Sequence, residues 1–374
     1  MNTNAAPEWL PSFLVPFFTL SYPTPAPAAP DSFPNSSYYG TGLLDFCFII
    51  TCIAVMAVLR DAVRLLIFEP LAKWKLTRDL QSKKRLEHAA TTKANGDAKA
   101  NGSAKGSGRA TSVGAITKRE RRLLHRSVLR FAEQGWVFIY YTCEWIFGLY
   151  VHHNVPTSVL NPVDVWVLYP HIPLAGPIKI YYLTQTANYM HQMLVLNAEA
   201  RRKDHWQMMT HHVVTVALML GSYFYNYTRI GVLVMLLMDT ADVWMPLAKM
   251  FRYLSFLTLC DMTFGLFMVS WFVTRHALFI VVIISVWRDS SRYSSYTWDP
   301  SRGYFMTAGI LNAFNGMLIC LEIIQLVWFA SIIRIAWRVV SGQGAEDVRS
   351  DEEDVPDVPD DDEDEDEETK KKNQ

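Results

Sequence analysis

Two adjacent histidines and two nearby aspartates are the residues of this sequence best suited to chemistry. His211 and His212 are neighbours, and Asp239 and Asp242 follow in the next apolar segment. Aspartates three positions apart on a helix share one face, so both carboxylates would point the same way. Adjacent histidines are about 100° apart around a helix, so they cannot both address one atom in the same way. We therefore expect one histidine to react and the other to orient or contact a substrate.

An imidazole beside a carboxylate is a common arrangement for base or nucleophilic catalysis. The carboxylate fixes the imidazole tautomer and raises its basicity. Ionisable groups are also costly inside a membrane segment and usually mark a site or a pathway. The alternative is that the histidine pair caps a helix end or lies in the headgroup layer. The sequence predicts an intramembrane catalytic site built from His211, His212, Asp239 and Asp242.

Long apolar runs indicate the elements that would position these residues. Of the 374 residues, 51% are hydrophobic, and the apolar runs alternate with small basic clusters. This pattern predicts an all-α polytopic membrane protein with about seven transmembrane helices. The predicted spans are 43–60, 131–151, 178–197, 210–227, 230–248, 255–287 and 305–338.

The span 255–287 is unusually long and carries Arg275 and His276 inside it. It is either one tilted helix or a helix followed by a re-entrant piece. Two full spans here would place the C-terminus in the lumen, which the charge pattern opposes.

Basic clusters predict the orientation of the chain. They follow the first, third, fifth and seventh spans, so all fall on one side, which we assign to the cytosol. The predicted organisation is a lumenal N-terminal segment (1–42), a cytosolic basic linker (61–130) and an acidic, disordered cytosolic tail (341–374). Within the linker, we expect 88–115 to be flexible and 117–130 to be an amphipathic helix on the membrane surface.

The near-zero net charge conceals an asymmetry between the tail and the rest of the chain. The tail holds 16 of the 36 acidic residues, which leaves 20 acidic against 31 basic residues before it. A basic body suits contact with anionic membrane lipids and with a substrate that carries phosphate. We expect no nucleic-acid partner.

Neither the cysteines nor the histidines form a recognisable metal pattern. The five cysteines lie in apolar stretches without a CxxC pair, so we interpret them as packing residues. The chain also lacks the HxxxH and HxxHH boxes of membrane di-iron oxygenases. We expect no metal, and a metal-dependent lipid hydroxylase is the less favoured alternative.

Several runs around the histidines and aspartates carry a family resemblance. RRKDHWQMMTHHVVT (201–215), SYFYNYTRIG (222–231) and MDTADVWMPLAKM (238–250) resemble the Lag1 motif of ceramide synthases, within the TLC domain. FAEQGWVFIYY (131–141) resembles the start of that domain. The resemblance implies a TLC catalytic domain over 131–340, with the last six helices forming a barrel.

The resemblance implies a sphingoid-base N-acyltransferase. Fatty acyl-CoA, as co-substrate rather than cofactor, and a sphingoid base would give (dihydro)ceramide and free CoA. His211 and His212 match the essential histidine pair of the family, and Asp239 and Asp242 match its acidic pair. A homo-oligomer, or a hetero-oligomer with a small single-pass regulatory subunit, is also within what the resemblance implies. The alternative is a non-catalytic TLC-domain protein that binds or senses lipid, or assists membrane insertion.

The sequence departs from the commoner family pattern at three positions. Met238, Ala241 and Pro246 stand where many members have His, Ser and Glu. With the low-complexity linker, these departures resemble the fungal type of the enzyme. The phosphates of CoA would lie near a cytosolic basic cluster, whose members are also ordinary positive-inside anchors. That cluster consists of Arg201, Arg202, Lys203, Lys249 and Arg252.

Two short signals concern location and modification. Lys371 and Lys372 resemble the dilysine address that returns membrane proteins to the endoplasmic reticulum. Ser350, which is followed by three acidic residues, resembles an acidophilic-kinase site. We therefore expect an endoplasmic reticulum membrane protein whose tail is regulatory.

The sequon Asn35-Ser36-Ser37 generates the first testable prediction. Because the N-terminal segment is assigned to the lumen, Asn35 should carry an N-linked glycan. Asn226 heads a second sequon but abuts the membrane, and should stay unmodified. Glycosidase treatment should increase gel mobility in the wild type and have no effect on Asn35→Gln. A mobility shift that persists in this variant would contradict the assignment.

Overall fold

Helices make up most of the chain in the computed structural model, which describes residues 6–100, 116–198 and 204–341. The helices are α1 (Val15–Phe18), α2 (Asp45–Val63), α3 (Glu69–Ala100), α4 (Lys118–His153), α5 (Gly176–Ala198), α6 (His205–Phe224), α7 (Thr228–Tyr253), α8 (Leu257–Trp271), α9 (Phe279–Arg288), α10 (Ser290–Tyr293) and α11 (Ala308–Val340). Short 3₁₀ turns lie at Ser12–Leu14, Pro162–Val165 and Pro300–Arg302. Two π-helical turns join helices end to end: Arg64–Phe68 links α2 to α3, and Phe272–Leu278 links α8 to α9.

Two small antiparallel sheets lie between the helices. In the first, β2 (Tyr38–Tyr39) pairs with β1 (Pro23–Thr24) and with β3 (Leu174–Ala175). Since β3 directly precedes α5, this sheet fastens the N-terminal segment to the start of that helix. The second sheet is a hairpin of β4 (Thr297–Asp299) and β5 (Tyr304–Met306).

The predicted all-α polytopic membrane class is confirmed. Each of the seven predicted spans coincides with a helix in the structure. Four helical runs are long and apolar enough to cross a membrane: Asp45–Ala90, Thr228–Tyr253, Leu257–Arg288 and Ala308–Arg338. The other three predicted spans coincide with α4, α5 and α6, which carry more polar side chains.

The predicted span 255–287 is a single helical run rather than a helix and a re-entrant piece. It extends from Leu257 to Arg288, and the π-helical turn inside it contains Arg275 and His276. A π-helical turn adds a residue to the helical repeat, which redirects the side chains around it without ending the helix. Both polar residues therefore turn inward and are buried.

The first predicted span is the start of a much longer helix. Helical structure continues past residue 60 and through α3 to Ala100, which lies within the tract 88–115 that we expected to be flexible. The Ala, Lys, Glu and Gln residues of this stretch favour helix. Residues 101–115 lie outside the described ranges.

The predicted surface helix 117–130 forms the first turns of α4 instead of a separate element. Thr117 caps it: the Glu120 backbone N–H donates to Thr117 Oγ1 at 3.2 Å, and the Thr117 N–H donates to Glu120 Oε2 at 2.8 Å. This reciprocal capping box satisfies two donors that the helix end would leave unpaired. No break follows, so the basic turns and the apolar turns form one continuous helix.

Helix α7 lies at the centre of the bundle, packed between α4 and α8. Close approach of α5 depends on Gly231, because a Cβ atom there would lie 1.5 Å from the Tyr182 hydroxyl. That hydroxyl donates to the Thr228 carbonyl at 3.1 Å. Pro246 inside α7 has no N–H to donate to the carbonyl of Asp242 one turn earlier, which weakens the helix locally.

Contacts bring the basic helix ends to one end of the bundle. Lys84 of α3 pairs with Glu120 of α4 at 2.6 Å. Lys75 of α3 lies 5.3 Å from the centre of the Phe256 ring, in the turn between α7 and α8. The three-stranded sheet lies at the start of α5.

The sequons at Asn35 and Asn226 have opposite environments. Asn35 is exposed in a turn. Asn226 is 4% exposed, and its side-chain amide donates to the Gly303 carbonyl at 2.9 Å. A glycan at Asn226 would require this contact with the β4–β5 hairpin to break, whereas Asn35 is accessible.

A buried ion pair joins α2 to α5. Lys179 Nζ lies 2.7 Å from Asp45 Oδ1, and both side chains are almost fully buried. Tyr223 of α6 donates to Asp45 Oδ2 at 2.7 Å. Lys179 also donates to the carbonyls of Ser21 and Gly40, at 2.9 and 2.7 Å, and so ties down the N-terminal segment. One polar cluster thus connects α2, the N-terminal segment, α5 and α6.

This cluster predicts a stability effect that depends on pairing. Lys179→Met leaves Asp45 buried without its cation, so it should destabilise the protein by roughly 3–5 kcal/mol. The double variant Lys179→Met/Asp45→Asn removes both charges and should recover much of that loss. Thermal unfolding of the detergent-solubilised protein measures both effects.

The matched control is Lys83→Met, because Lys83 and its partner Glu87 on α3 are both exposed, at 75% and 64%. Its loss should change stability by less than about 1 kcal/mol. A Lys179→Met protein as stable as the Lys83→Met protein would contradict the importance of the buried pair.

Candidate active site

The predicted histidine pair lies on α6 and faces two other helices. The rings of His211 and His212 are 5.3 Å apart, centre to centre. The His211 ring lies 5.2 Å from Trp328 of α11. Tyr189 of α5 lies 6.4 Å from the His211 ring and 5.9 Å from the His212 ring. Aromatic packing therefore holds both imidazoles between α5 and α11.

Within the part of the chain that the structure describes, the Nδ1 atoms of these two histidines make no hydrogen bond that holds the fold together. Nδ1 of His211 and Nδ1 of His212 are buried, and neither has a hydrogen-bond partner among the described residues. A buried polar atom left unpaired costs free energy, and such atoms are uncommon in stable folds. Their presence on both imidazoles is what a site that binds a polar group would have.

The two aspartates of α7 have partners other than the histidines, contrary to our expectation that they orient the imidazoles. Asp242 Oδ1 lies 2.6 Å from Nη2 of Arg275, in the π-helical turn. Asp239 accepts a hydrogen bond from the side-chain amide of Gln185 of α5. Inside an apolar bundle a carboxylate needs a cation or a strong donor, and these two residues supply them. Direct carboxylate–imidazole contact is therefore absent among these residues.

Two cavities of different character adjoin at His211. The first, the apolar cavity, is lined almost wholly by apolar side chains of α6, α7 and α11, and extends from His211 to Trp166. The second, the polar cavity, is lined by both histidines, Asp242 and Arg275, together with a larger area of apolar side chains. Asp239 lines neither cavity, so only Asp242 of the acidic pair shares a wall with the histidines.

A third cavity reaches the pair from the side of α2, α4 and α5. It is lined by Arg60, Asn188, His191 and His212 together with apolar and aromatic side chains. His212 thus lies where the second and third cavities adjoin, whereas His211 lies where the first and second adjoin.

The polar residues of α5 and α11 divide between lining the cavities and bonding one helix to another. Gln185 serves the fold by donating to Asp239. Gln192 donates to the Tyr141 hydroxyl at 3.0 Å and also lines the second cavity. Glu322 of α11 pairs with His276 at 2.7 Å, away from the histidine pair.

Of the predicted basic cluster, the structure describes only the two residues of α7. Lys249 lines the polar cavity, and Arg252 lies three residues further on, outside that lining. Arg201, Arg202 and Lys203 lie outside the described ranges, as do Ser350 and the C-terminal dilysine pair.

Arg275 is the site residue that our sequence reasoning missed. The signal was present, because an arginine inside an apolar segment is costly and points to a partner or a site. We weighed it only as a problem for topology. Its partner could not be read from the sequence, since Asp242 lies 33 positions earlier.

Within the described ranges, no group of three or more His, Cys, Asp or Glu side chains is arranged to hold a metal ion. The five cysteines are unpaired thiols, as the packing interpretation requires.

Comparisons with known proteins give a consistent result. The TLC domain family matches residues 130–334. Sphingosine N-acyltransferase lag1 of Schizosaccharomyces pombe is 37% identical over 229 residues, which are 61% of this chain and 58% of that protein. Ceramide Synthase FUM18 of Gibberella moniliformis is 35% identical, over 61% of this chain and 59% of its own length. Human Ceramide synthase 4 is 32% identical, over 63% and 58%.

The chain therefore matches a little under three fifths of the length of these relatives. The resemblance to Lag1-type ceramide synthases, fungal ones included, is confirmed. Because the matching region covers more than half of the sequence, this chain belongs to the TLC domain family.

Proposed function

We propose that this chain is a sphingoid-base N-acyltransferase that makes (dihydro)ceramide from fatty acyl-CoA and a long-chain base. The observation that carries the proposal is the meeting of an apolar and a polar cavity at His211. A fatty acyl thioester has the same division, with an apolar chain on one side of its reactive carbonyl and a polar CoA on the other. The names of the relatives support the same reaction class.

The two cavities suggest a place for each part of the thioester. The acyl chain would occupy the apolar cavity between α6, α7 and α11, whose burial of CH₂ groups favours it by about 0.8 kcal/mol each. The CoA moiety would occupy the polar cavity, with Lys249 near its phosphates. The carbonyl carbon would then lie beside His211.

The chemistry requires one proton to be removed from the amine. The nitrogen of the sphingoid base attacks the thioester carbonyl, a C–N bond forms, the C–S bond breaks, and CoA leaves as the thiol. An imidazole suits this task as general base, or as a nucleophile that first forms an acyl-imidazole. Both routes use the unpaired ring nitrogens. We propose His211 as the reacting residue, since it alone of the pair lines the apolar cavity.

His212 and the aspartates have supporting roles in this proposal. His212 adjoins the third cavity, which we propose as the route of the long-chain base, because it opens between α2, α4 and α5 away from the apolar cavity. Asp242 would act through Arg275, and Asp239 through Gln185 and the packing of α5 on α7. Neither is proposed to touch the reacting imidazole.

We propose the endoplasmic reticulum membrane as the location, with the N-terminus lumenal and the C-terminus cytosolic. Support comes from the positive-inside pattern and from the contacts that gather basic helix ends at one end of the bundle. The domain proposal keeps a TLC catalytic domain over 131–340 between a basic linker and an acidic regulatory tail. Ser350 phosphorylation, dilysine retrieval and assembly with a regulatory subunit stay predictions.

The reaction itself is the first test. Purified full-length protein, incubated with palmitoyl-CoA and sphinganine, should form the amide and free CoA thiol in equal amounts. Binding of palmitoyl-CoA without thiol release would refute the enzymatic proposal and favour the lipid-binding alternative, which the apolar cavity would also serve.

The histidine pair is the second test. His211→Ala removes the proposed base or nucleophile and should lower turnover by about 10²–10⁴-fold or more. His212→Ala should also abolish measurable acylation, and both proteins should remain inserted and folded. Cys143→Ala, at an exposed position of α4, is the control for substitution as such. Turnover like that of the wild type in either histidine variant would remove that residue from the chemistry.

A further inference from the structure

Arg275 occupies an unusual position for an arginine. It is 4% exposed and lies in the π-helical turn of an otherwise apolar membrane-spanning helix. An ionised group is costly there and persists where it has a partner and a purpose. π-helical turns are frequent at functional sites, because they aim side chains that a regular helix would direct elsewhere.

The side chains of two neighbouring residues in this turn contact different helices. Arg275 reaches α7, where its Nη2 lies 2.6 Å from Asp242 Oδ1 and donates to the Met238 carbonyl at 2.8 Å. His276 reaches α11, where Nδ1 lies 2.7 Å from Glu322 Oε1. Arg275 lines the polar cavity beside the histidines, and His276 does not.

The guanidinium of Arg275 is fixed in place, and its partners bond only some of its N–H groups. It lies 4.1 Å from the centre of the Trp271 ring, so aromatic packing and Asp242 together fix its plane. Its Nε is buried without a hydrogen-bond partner among the described residues. A guanidinium has five N–H donors, and the two contacts of Nη2 leave others for a ligand.

On the basis of the proposed function, we infer that Arg275 binds the thioester carbonyl oxygen and stabilises the oxyanion that forms there. When the nucleophile adds to the carbonyl carbon, the C=O π electrons move onto oxygen, and the N–H groups of Arg275 donate to that charge. When the electrons return, the C–S bond breaks and the thiolate leaves. Fixed donors aimed at a developing charge in a dry site stabilise a transition state strongly.

Asp242 is then a positioning residue. It does not touch the reacting atoms, but its carboxylate pairs with the buried guanidinium and keeps it oriented. This assignment accounts for an aspartate that shares the cavity with the histidines yet pairs with neither of them.

The competing role for a cation in this cavity is to bind the phosphates of CoA. Lys249 is placed for that role, seven residues from Asp242 toward the basic end of α7. The two roles differ in which substrates they affect. A phosphate contact matters only for acyl-CoA, whereas a carbonyl contact matters for every thioester.

The experiment therefore compares two thioesters with the same acyl chain. Full-length protein is assayed with sphinganine and either palmitoyl-CoA or the palmitoyl thioester of N-acetylcysteamine, which carries no phosphate. Arg275→Gln should lower kcat by about 10²–10³-fold with both thioesters. KM for sphinganine should change by less than about threefold, since the amine site is elsewhere in the proposal.

The matched control is His276→Gln, which alters the other buried pair of the same π-helical turn but not the cavity wall. Its kcat should stay within a few-fold of wild type. Comparable losses in Arg275→Gln and His276→Gln would show that the turn matters only for folding. A loss confined to palmitoyl-CoA would assign Arg275 to phosphate binding, and kcat within tenfold of wild type would remove any catalytic role.

A second variant covers the case in which Arg275→Gln yields too little folded protein because Asp242 loses its cation. It is the double variant Arg275→Gln/Asp242→Asn. Removing both charges should restore folding while turnover remains lost with both thioesters. Restored turnover in this variant would overturn the inference. A wild-type protein that forms no amide would refute the proposed function instead, so the two failures are distinguishable.

Discussion

The low dielectric of the membrane interior is the constraint on which the rest of this structure depends. Every ionisable group placed there must be paired, and the pairs join helices that are distant in the sequence. The pair of Lys179 and Asp45 joins α2 to α5, and the pair of Arg275 and Asp242 joins the α8–α9 run to α7. Apolar side chains supply most of the buried area, but they pack almost equally well in many rotations of a helix about its axis. The polar pairs select one of them.

The same constraint shapes the candidate site. Because Asp239 contacts Gln185 and Asp242 contacts Arg275, neither carboxyl group contacts an imidazole of the pair. Aromatic neighbours therefore orient the two histidines, and their Nδ1 atoms stay unpaired in the walls of the cavities. Leaving these polar atoms unpaired costs some free energy of folding. The hydrogen-bonded pairs buried around the site offset that cost.

Sequence reasoning found the helices and the candidate residues but not the partners. Apolar runs predict helices because the period and length are local properties, and the seven spans were found for that reason. The π-helical turn around Arg275 has no local signature in the sequence. Its two buried residues pair with Asp242 and Glu322, which are distant in the sequence. The extent of α3 and α4 was also missed, because charge and low complexity were weighed above the helix propensity of the residues. The expected carboxylate–imidazole contact failed for a similar reason: spacing brings groups to one region but does not choose among partners.

The position of His211 has a consequence for any amphiphilic thioester. Such a substrate is divided at its carbonyl, and each part gains most free energy in the cavity that matches it. A chain that slides further into the apolar cavity would bury polar CoA groups, and one that slides out would expose CH₂ groups to the polar cavity. Both displacements cost free energy, so in the proposed function the division of the substrate places its carbonyl at the boundary, where Arg275 is inferred to bind the carbonyl oxygen. A catalytic group that lines both cavities is at that boundary, and His211 is the histidine that does so.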